Sequence, residues 1–153
     1  IFFKKIKKFL NNFNQEENFL VEEYISGKEL TVSILKNQLT YHPLGVTEIV
    51  SYNKSYDYQA KYTKGFSKHF IPARITKQTH KECLDLSLKI HKIFKCNTLS
   101  RVDFILSKKE NKIYFLEINS QPGMTKMSLL PEQAIFKKIK FESIVKELIN
   151  NSK

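Results

Sequence analysis

The stretch "RVDFILSKKENKIYFLEINSQPGMT", residues 101–125, decides how this chain reads. Most of it is two apolar strands around a charged turn. Arg101, Asp103, Glu117 and Asn119 interrupt the apolar residues at alternate positions. A strand has a period of two, so Arg101 and Asp103 share one face, as do Glu117 and Asn119. Folded as a hairpin about "SKKEN", the segment allows Asp103 to lie opposite Glu117, with Arg101 opposite Asn119. Four polar groups then converge on one side. Val102, Phe104, Leu116 and Ile118 take the other side and are expected to pack into a core.

A solvated face is the ordinary explanation of such alternation. Two details oppose it. Asn is depleted in strands, and Asp directly across from Glu is repulsive. A cation between the two carboxylates would turn that repulsion into binding. Hard divalent cations such as Mg²⁺ take carboxylate and amide oxygens and commonly share them with phosphates. The residues alone therefore suggest a magnesium–phosphate site with an Arg beside it.

The 153 residues suffice for one domain with a real core, and a hydrophobic content of 41% is globular. No apolar run reaches the length of a membrane span and no signal-peptide pattern is present, so no membrane partner is expected. Cys83 and Cys96 are the only cysteines. They have no zinc spacing, they suit a reducing cytosol, and both are expected as small apolar residues in a helix. The net charge of +11 raises a nucleic-acid-binding module as an alternative. The lysines are spread along the chain, however, with one cluster at "KKIKK" (4–8). That distribution argues against nucleic acid, while a basic surface would still favour an anionic ligand such as ATP.

Outward from the hairpin, residues 1–13 read as the end of a helix and "NQEEN" as a loop. "FLVEEYI" (19–25) reads as a strand, with a turn at Ser26-Gly27. "ELTVSIL" (29–35) reads as a second strand, with a hairpin turn at Lys36-Asn37. "QLTYHPLGVTEIV" (38–50) gives one or two strands interrupted at Pro43. Residues 51–70 hold Tyr52, Tyr56, Tyr58 and Tyr62 among Lys and Ser, and read as a long functional loop. A helix is expected from Thr76 or Thr79 to Lys95, with Thr79 and Glu82 at capping-box spacing. Its expected apolar stripe is Cys83, Leu86, Ile90 and Phe94, with Leu84 and Leu88. His91 and His69 are expected to be structural or exposed. Pro122-Gly123 starts a loop, Pro131 suits the first turn of a short helix, and "FESIVKELI" (141–149) is a terminal amphipathic helix. This succession is α+β, a largely antiparallel sheet flanked by helices.

Three motifs together carry a family resemblance: "VEEYISGKELTV" (21–32), "YDYQAKYT" (56–63) and "RVDF…FLEINSQPGMTKMSLLP" (101–131). They resemble the C-terminal half of D-alanine–D-alanine ligases, of the ATP-grasp fold, from about residue 19 to the end. The resemblance implies ATP-driven joining of two D-alanines for the bacterial cell wall, through an acyl phosphate, in the cytoplasm. It implies Asp103, Glu117 and Asn119 as ligands of a pair of Mg²⁺ ions (or Mn²⁺), with Glu117 bridging. Arg101 would stabilise the acyl phosphate and the oxyanion. Glu22 would meet the adenine amino group, Glu23, Tyr24 and Ile25 would frame the ring, and Glu29 would take the ribose hydroxyls.

Residues 51–70 match a mobile ω-loop, in which Lys61 would reach the γ-phosphate and Tyr62 would seal the site. Gly123 would supply a backbone donor. Ser128 and Leu129 would hold the carboxylate of the second D-alanine, although Ser128 read by itself is most simply a helix N-cap. Thr98 stands where the family usually has Gly.

The family also implies a D-alanine-binding N-terminal domain and a phosphate-holding central subdomain, with the full-length protein a homodimer. Those parts are absent here. The four glycines, at 27, 45, 65 and 123, form no phosphate-cradling cluster. The chain starts with Ile. It is expected to be a single C-terminal domain over 1–153, with 1–18 the tail of a preceding helix or linker. It is expected to be inactive without its other half. The remaining alternative is an ATP-grasp ligase with another second substrate, such as D-lactate or a different amino acid.

Overall fold

The computed structural model describes residues 20, 22–51 and 67–151. It contains strands β1 (Gly27–Asn37), β2 (Thr40–Ser51), β3 (Ser67–Phe70), β4 (Leu99–Ser107) and β5 (Ile113–Asn119). The helices are α1 (Lys77–Ile93), α2 (Leu129–Phe136) and α3 (Phe141–Asn150). The strands form one sheet in the order β3-β2-β1-β4-β5, antiparallel at every pairing.

Central β1 fixes the two faces. Leu30, Val32 and Ile34 join Val46, Ala73, Cys83, Val102, Phe104 and Leu106 in a core beneath α1. The alternate residues Thr31, Ser33 and Leu35 point to the other face. There Leu35, Leu44 and Leu99 pack on Leu130 and Ala134 of α2 and Ile144 of α3. That second face is apolar at one end. Towards the other end it carries Glu29 and Thr31 on β1 and Arg101 and Asp103 on β4.

Several sequence expectations shift. Residues 22–26 are coil, not strand. β1 begins to pair at Gly27, opposite Ser107, where β4 enters its hairpin; one further backbone bond, from the Lys108 N–H to the Ser26 carbonyl at 3.0 Å, ends the contact. The β1–β2 turn is at Gln38-Leu39, since Asn37 still pairs with Thr40. Residues 40–51 form one strand that passes Pro43 at a bulge, where the register slips between Val32↔Val46 and Ile34↔Pro43. Gly45 supplies the bulge with a φ of 149°, a conformation side chains resist. Residues 67–70, expected in the loop, are strand β3. The rest of the loop, residues 52–66, lies outside the described residues, as does the expected helix at 1–13.

Thr76, not Thr79, caps α1, its side chain accepting from the Thr79 N–H at 3.1 Å. The residues of α1 that are fully buried are Thr79, Cys83, Ser87 and His91, an i, i+4 stripe, with Leu84, Leu86, Leu88 and Ile90 flanking it. Phe94 is exposed and Cys96 falls beyond the helix. Three polar side chains occupy that stripe, and Thr79 Oγ1 pairs with Thr76 Oγ1 at 2.8 Å. Ser87 Oγ donates to the Cys83 carbonyl at 2.6 Å, and His91 Nδ1 pairs with Ser100 Oγ at 2.7 Å. At Thr98 the carbonyl accepts from the Lys36 N–H at 2.7 Å, extending the β1–β4 contact.

Candidate functional site

Asp103 and Glu117 are register partners across β4 and β5, and so are Arg101 and Asn119. The Arg101 side chain donates from Nε to Asp103 Oδ1 at 3.0 Å and from Nη2 to Oδ2 at 2.8 Å. Its Nη2 also lies 3.7 Å from Glu117 Oε1. The guanidinium thus bridges two carboxylates that would otherwise repel. From β1, Thr31 donates its hydroxyl to Asp103 Oδ1 at 2.5 Å. Asn119 Oδ1 accepts from the Gln121 N–H at 2.9 Å, a local turn that carries the chain away from β5.

The hairpin departs from strict alternation at one point. The register shifts between Asp103 and Phe104, so Phe104 pairs with Phe115 and Leu116 is the extra residue. Leu116 is therefore 50% exposed instead of joining Val102 and Phe104 in the core. A bulge beside the carboxylates leaves Glu117 paired with Asp103 while β5 bends.

The loop after β5 returns to this face through α2. Ser128 occupies the N-cap position of α2, yet its side chain makes no capping bond. Its Oγ instead accepts from the Thr125 N–H at 3.1 Å and pairs with Thr125 Oγ1 at 2.9 Å. A Cβ placed on Gly123 would come within 2.8 Å of that Oγ, so a side chain at 123 would displace the Ser128 hydroxyl from this position. Leu129 opens α2, and the first N–H groups of a helix have no intrahelical partner, which suits a carboxylate.

Glu29 lies on the same sheet face as Thr31, in register with Ile105 on β4 and Ile49 on β2. Glu22, Glu23, Tyr24 and Ile25 form the coil that leads into β1, with Tyr24 largely exposed. Lys61 and Tyr62 lie outside the described residues. Arg101, Asp103, Glu117 and Asn119 are thus brought together, Gly123, Ser128 and Leu129 form a second group, and residues 22–25 stand apart from both.

Among the described residues no three His, Cys, Asp or Glu side chains converge as a metal cluster. The oxygen set here is two carboxylates and one amide. All are hard donors, and so few protein ligands fit Mg²⁺ shared with phosphates better than a protein-only metal cage.

Sequence reasoning missed Thr31 and Gln133. Gln133 interrupts the apolar "LLPEQAIF" at a core position, and that was the available signal; Thr31 required the β1–β4 register. A further ion pair, between buried Glu48 and exposed Arg74, lies on the opposite face. Glu48 accepts from Arg74 Nε and Nη2, both at 2.9 Å, while the Arg74 guanidinium stacks 3.5 Å above the Phe70 ring.

A five-stranded antiparallel sheet with these helices is the architecture of the C-terminal part of ATP-grasp ligases. The structure superposes on a D-alanine–D-alanine ligase from Bacillus anthracis complexed with ATP, with a TM-score of 0.67 and 29% identity, covering 86% of this chain and 41% of that one. It also superposes on the VanG D-Ala:D-Ser ligase from Enterococcus faecalis, with a TM-score of 0.69 and 30% identity over 84% of this chain and 37% of that one. In sequence, the chain is 42% identical over 139 residues to a D-alanine–D-alanine ligase of Rickettsia typhi, covering 90% of this chain and 42% of the relative. The family model described as "D-ala D-ala ligase C-terminus" matches residues 3–150, and the chain belongs to that family. It spans about two fifths of the length of the curated relatives it matches.

Proposed function

We propose that this chain is the C-terminal catalytic portion of an ATP-dependent D-alanine–D-alanine ligase, acting with an N-terminal portion that completes the site. The observation that carries the reading is the bridged set Arg101–Asp103–Glu117, with Asn119 beside it, on a sheet face that α2 overhangs. Its donors fit Mg²⁺, which when bound would neutralise triphosphate charge and orient phosphoryl transfer. Asp103, Glu117 and Asn119 would hold it.

The chain's own groups divide the remaining work. Arg101 offers a guanidinium to the transferring phosphoryl group and to the oxyanion formed when an amine attacks the acyl phosphate. Glu29, and the coil from Glu22 to Ile25, lie at the Ser107 end of β1, and would take the ribose and adenine. Ser128 Oγ and the Leu129 N–H would orient the carboxylate of the accepting amino acid. Lys61 and Tyr62 would reach the γ-phosphate and seal the site, limiting hydrolysis of the acyl phosphate. Free Cys83 and Cys96 agree with a reducing, cytoplasmic setting. Among the described residues no helix is long and apolar enough to cross a membrane.

The test is phosphate release by the longer protein that carries this chain, with ATP, Mg²⁺ and D-alanine, and mass detection of the dipeptide. Release that needs D-alanine supports the reading. Release that ignores D-alanine contradicts it. The likeness to a D-Ala:D-Ser ligase favours a second reading in which the acceptor differs. D-serine and D-lactate offered as acceptors in the same assay decide between the two.

A further inference from the structure

Gln133 has no exposed surface, although it carries a primary amide. Burying such a group is costly unless its polar atoms are paired. Its Oε1 accepts from the Ser33 N–H at 2.8 Å. Its Nε2 donates to the Thr31 carbonyl at 3.1 Å and to Thr47 Oγ1 at 2.9 Å. To β1 the amide presents one acceptor and one donor, as the peptide of a neighbouring strand would. The contact falls where the β1–β2 ladder breaks, between Val32↔Val46 and Ile34↔Pro43. The bulge thus opens the β1–β2 ladder beside Ser33, and a side chain from α2 fills the gap.

Two consequences converge on the site. Leu129 lies one helical turn before Gln133, so the anchor sets the depth at which the start of α2 meets the sheet. Thr31, whose carbonyl the amide holds, sends its hydroxyl to Asp103. The preceding residue strengthens the clamp: Glu132 Oε2 pairs with His69 Nδ1 on β3 at 2.8 Å. α2 is tied to three strands through two consecutive side chains.

We propose that Gln133 is a positioning residue, which fixes the spacing between the acceptor-holding end of α2 (Ser128 and Leu129) and the carboxylate of Asp103. This rests on the ligase reading above. Gln133 touches no substrate and acts through Thr31 and the helix.

The experiment is steady-state kinetics of Gln133→Leu in the longer protein that carries this chain, with ATP varied separately from D-alanine. The D-alanine curve is resolved into its donor and acceptor phases. We expect the acceptor KM to rise about tenfold while the ATP KM stays within about twofold, since small misplacements of a binding group are costly. A purely structural role would lower kcat with the amount of folded enzyme and leave both KM values in place, and that result overturns the proposal. Should Gln133→Leu not fold, Thr47→Val removes one partner of the amide and keeps both β1 bonds. A rise of roughly threefold in its acceptor KM supports the proposal, and an unchanged acceptor KM overturns it. A parent enzyme with no D-alanine-dependent ATP turnover sinks the ligase reading itself, a result visible before any variant is compared.

Discussion

Asp103 and Glu117 face each other across the β4–β5 ladder, and one Arg101 nitrogen reaches both, at 2.8 and 3.7 Å. The cation that relieves their repulsion is part of the protein. Arg101→Ala should therefore lower the melting temperature at low ionic strength, and added Mg²⁺ should raise it more in the variant than in the parent. Turnover should fall roughly 10²–10³-fold if Arg101 stabilises developing negative charge. Scanning fluorimetry and phosphate release measure the two effects, and an unchanged kcat would move the oxyanion role elsewhere.

Gly123 and Ser128 give a second expectation. An added Cβ would press on the Ser128 hydroxyl at 2.8 Å. The obstruction is a movable side-chain tip in an exposed loop, so Gly123→Ala should fold with nearly the parent's melting temperature. The acceptor KM should rise by about fivefold to tenfold as Ser128 is displaced. An unchanged KM would argue that Ser128 does not meet the acceptor.

The hairpin and its polar face were legible because alternation puts Arg101 with Asp103 and Glu117 with Asn119 on shared faces; the register that sets Asp103 opposite Glu117 also needs the one-residue bulge at Leu116. Leu116 was not legible, because nothing in "FLEIN" marks the bulge that turns it outward. The stripe on α1 failed for a related reason. Hydropathy favoured Leu86 and Phe94, while the chain buries Ser87, which bonds the Cys83 carbonyl, and His91, whose Nδ1 pairs with Ser100 and whose Nε2 has no partner among the described residues. The anchor at Gln133 is a tertiary contact across a hundred residues, which no local pattern records. Residues 22–25 read as a strand by composition, but β1 gains a ladder partner only from Gly27 onward.

Acid should act through Glu48, His91 and His80, the last also lowered by burial and by Lys137. The Arg74 guanidinium beside Glu48 holds that carboxyl below its ordinary range, against an opposing effect of burial. Its folded value is lowered, so its stabilisation is complete above the unfolded carboxyl value, about 4.3. That stabilisation is lost as pH falls through the lowered value. Burial pushes the His91 imidazole down as well. Protonation then favours the unfolded chain, and stability declines as pH drops below about 6.5 towards the lowered value. Melting temperature followed from pH 8 to pH 3 should show both declines. His91→Phe should reduce the first, to which His80 also contributes, and Glu48→Gln should flatten the second. A parent profile flat between pH 7 and pH 5 would contradict the account of His91.

Cys83 provides a check on the core beneath α1. Burial raises its thiol to about 12, and it has no exposed surface. At pH 8 it should resist a disulfide reagent in the native protein and react on unfolding. Partly exposed Cys96 should react first. Two thiols reacting equally fast in the native protein would show that α1 is not packed as described.

The most direct measurement is D-alanine-dependent phosphate release by the longer protein carrying Glu117→Gln. The substitution keeps the side chain's size and removes the charge that faces Asp103. If these two carboxylates and Asn119 hold the magnesium that accompanies ATP, release should fall by about a thousandfold or more, with little change in melting temperature. Turnover within a few-fold of the parent would show that the paired strand carboxylates are not the metal-binding centre.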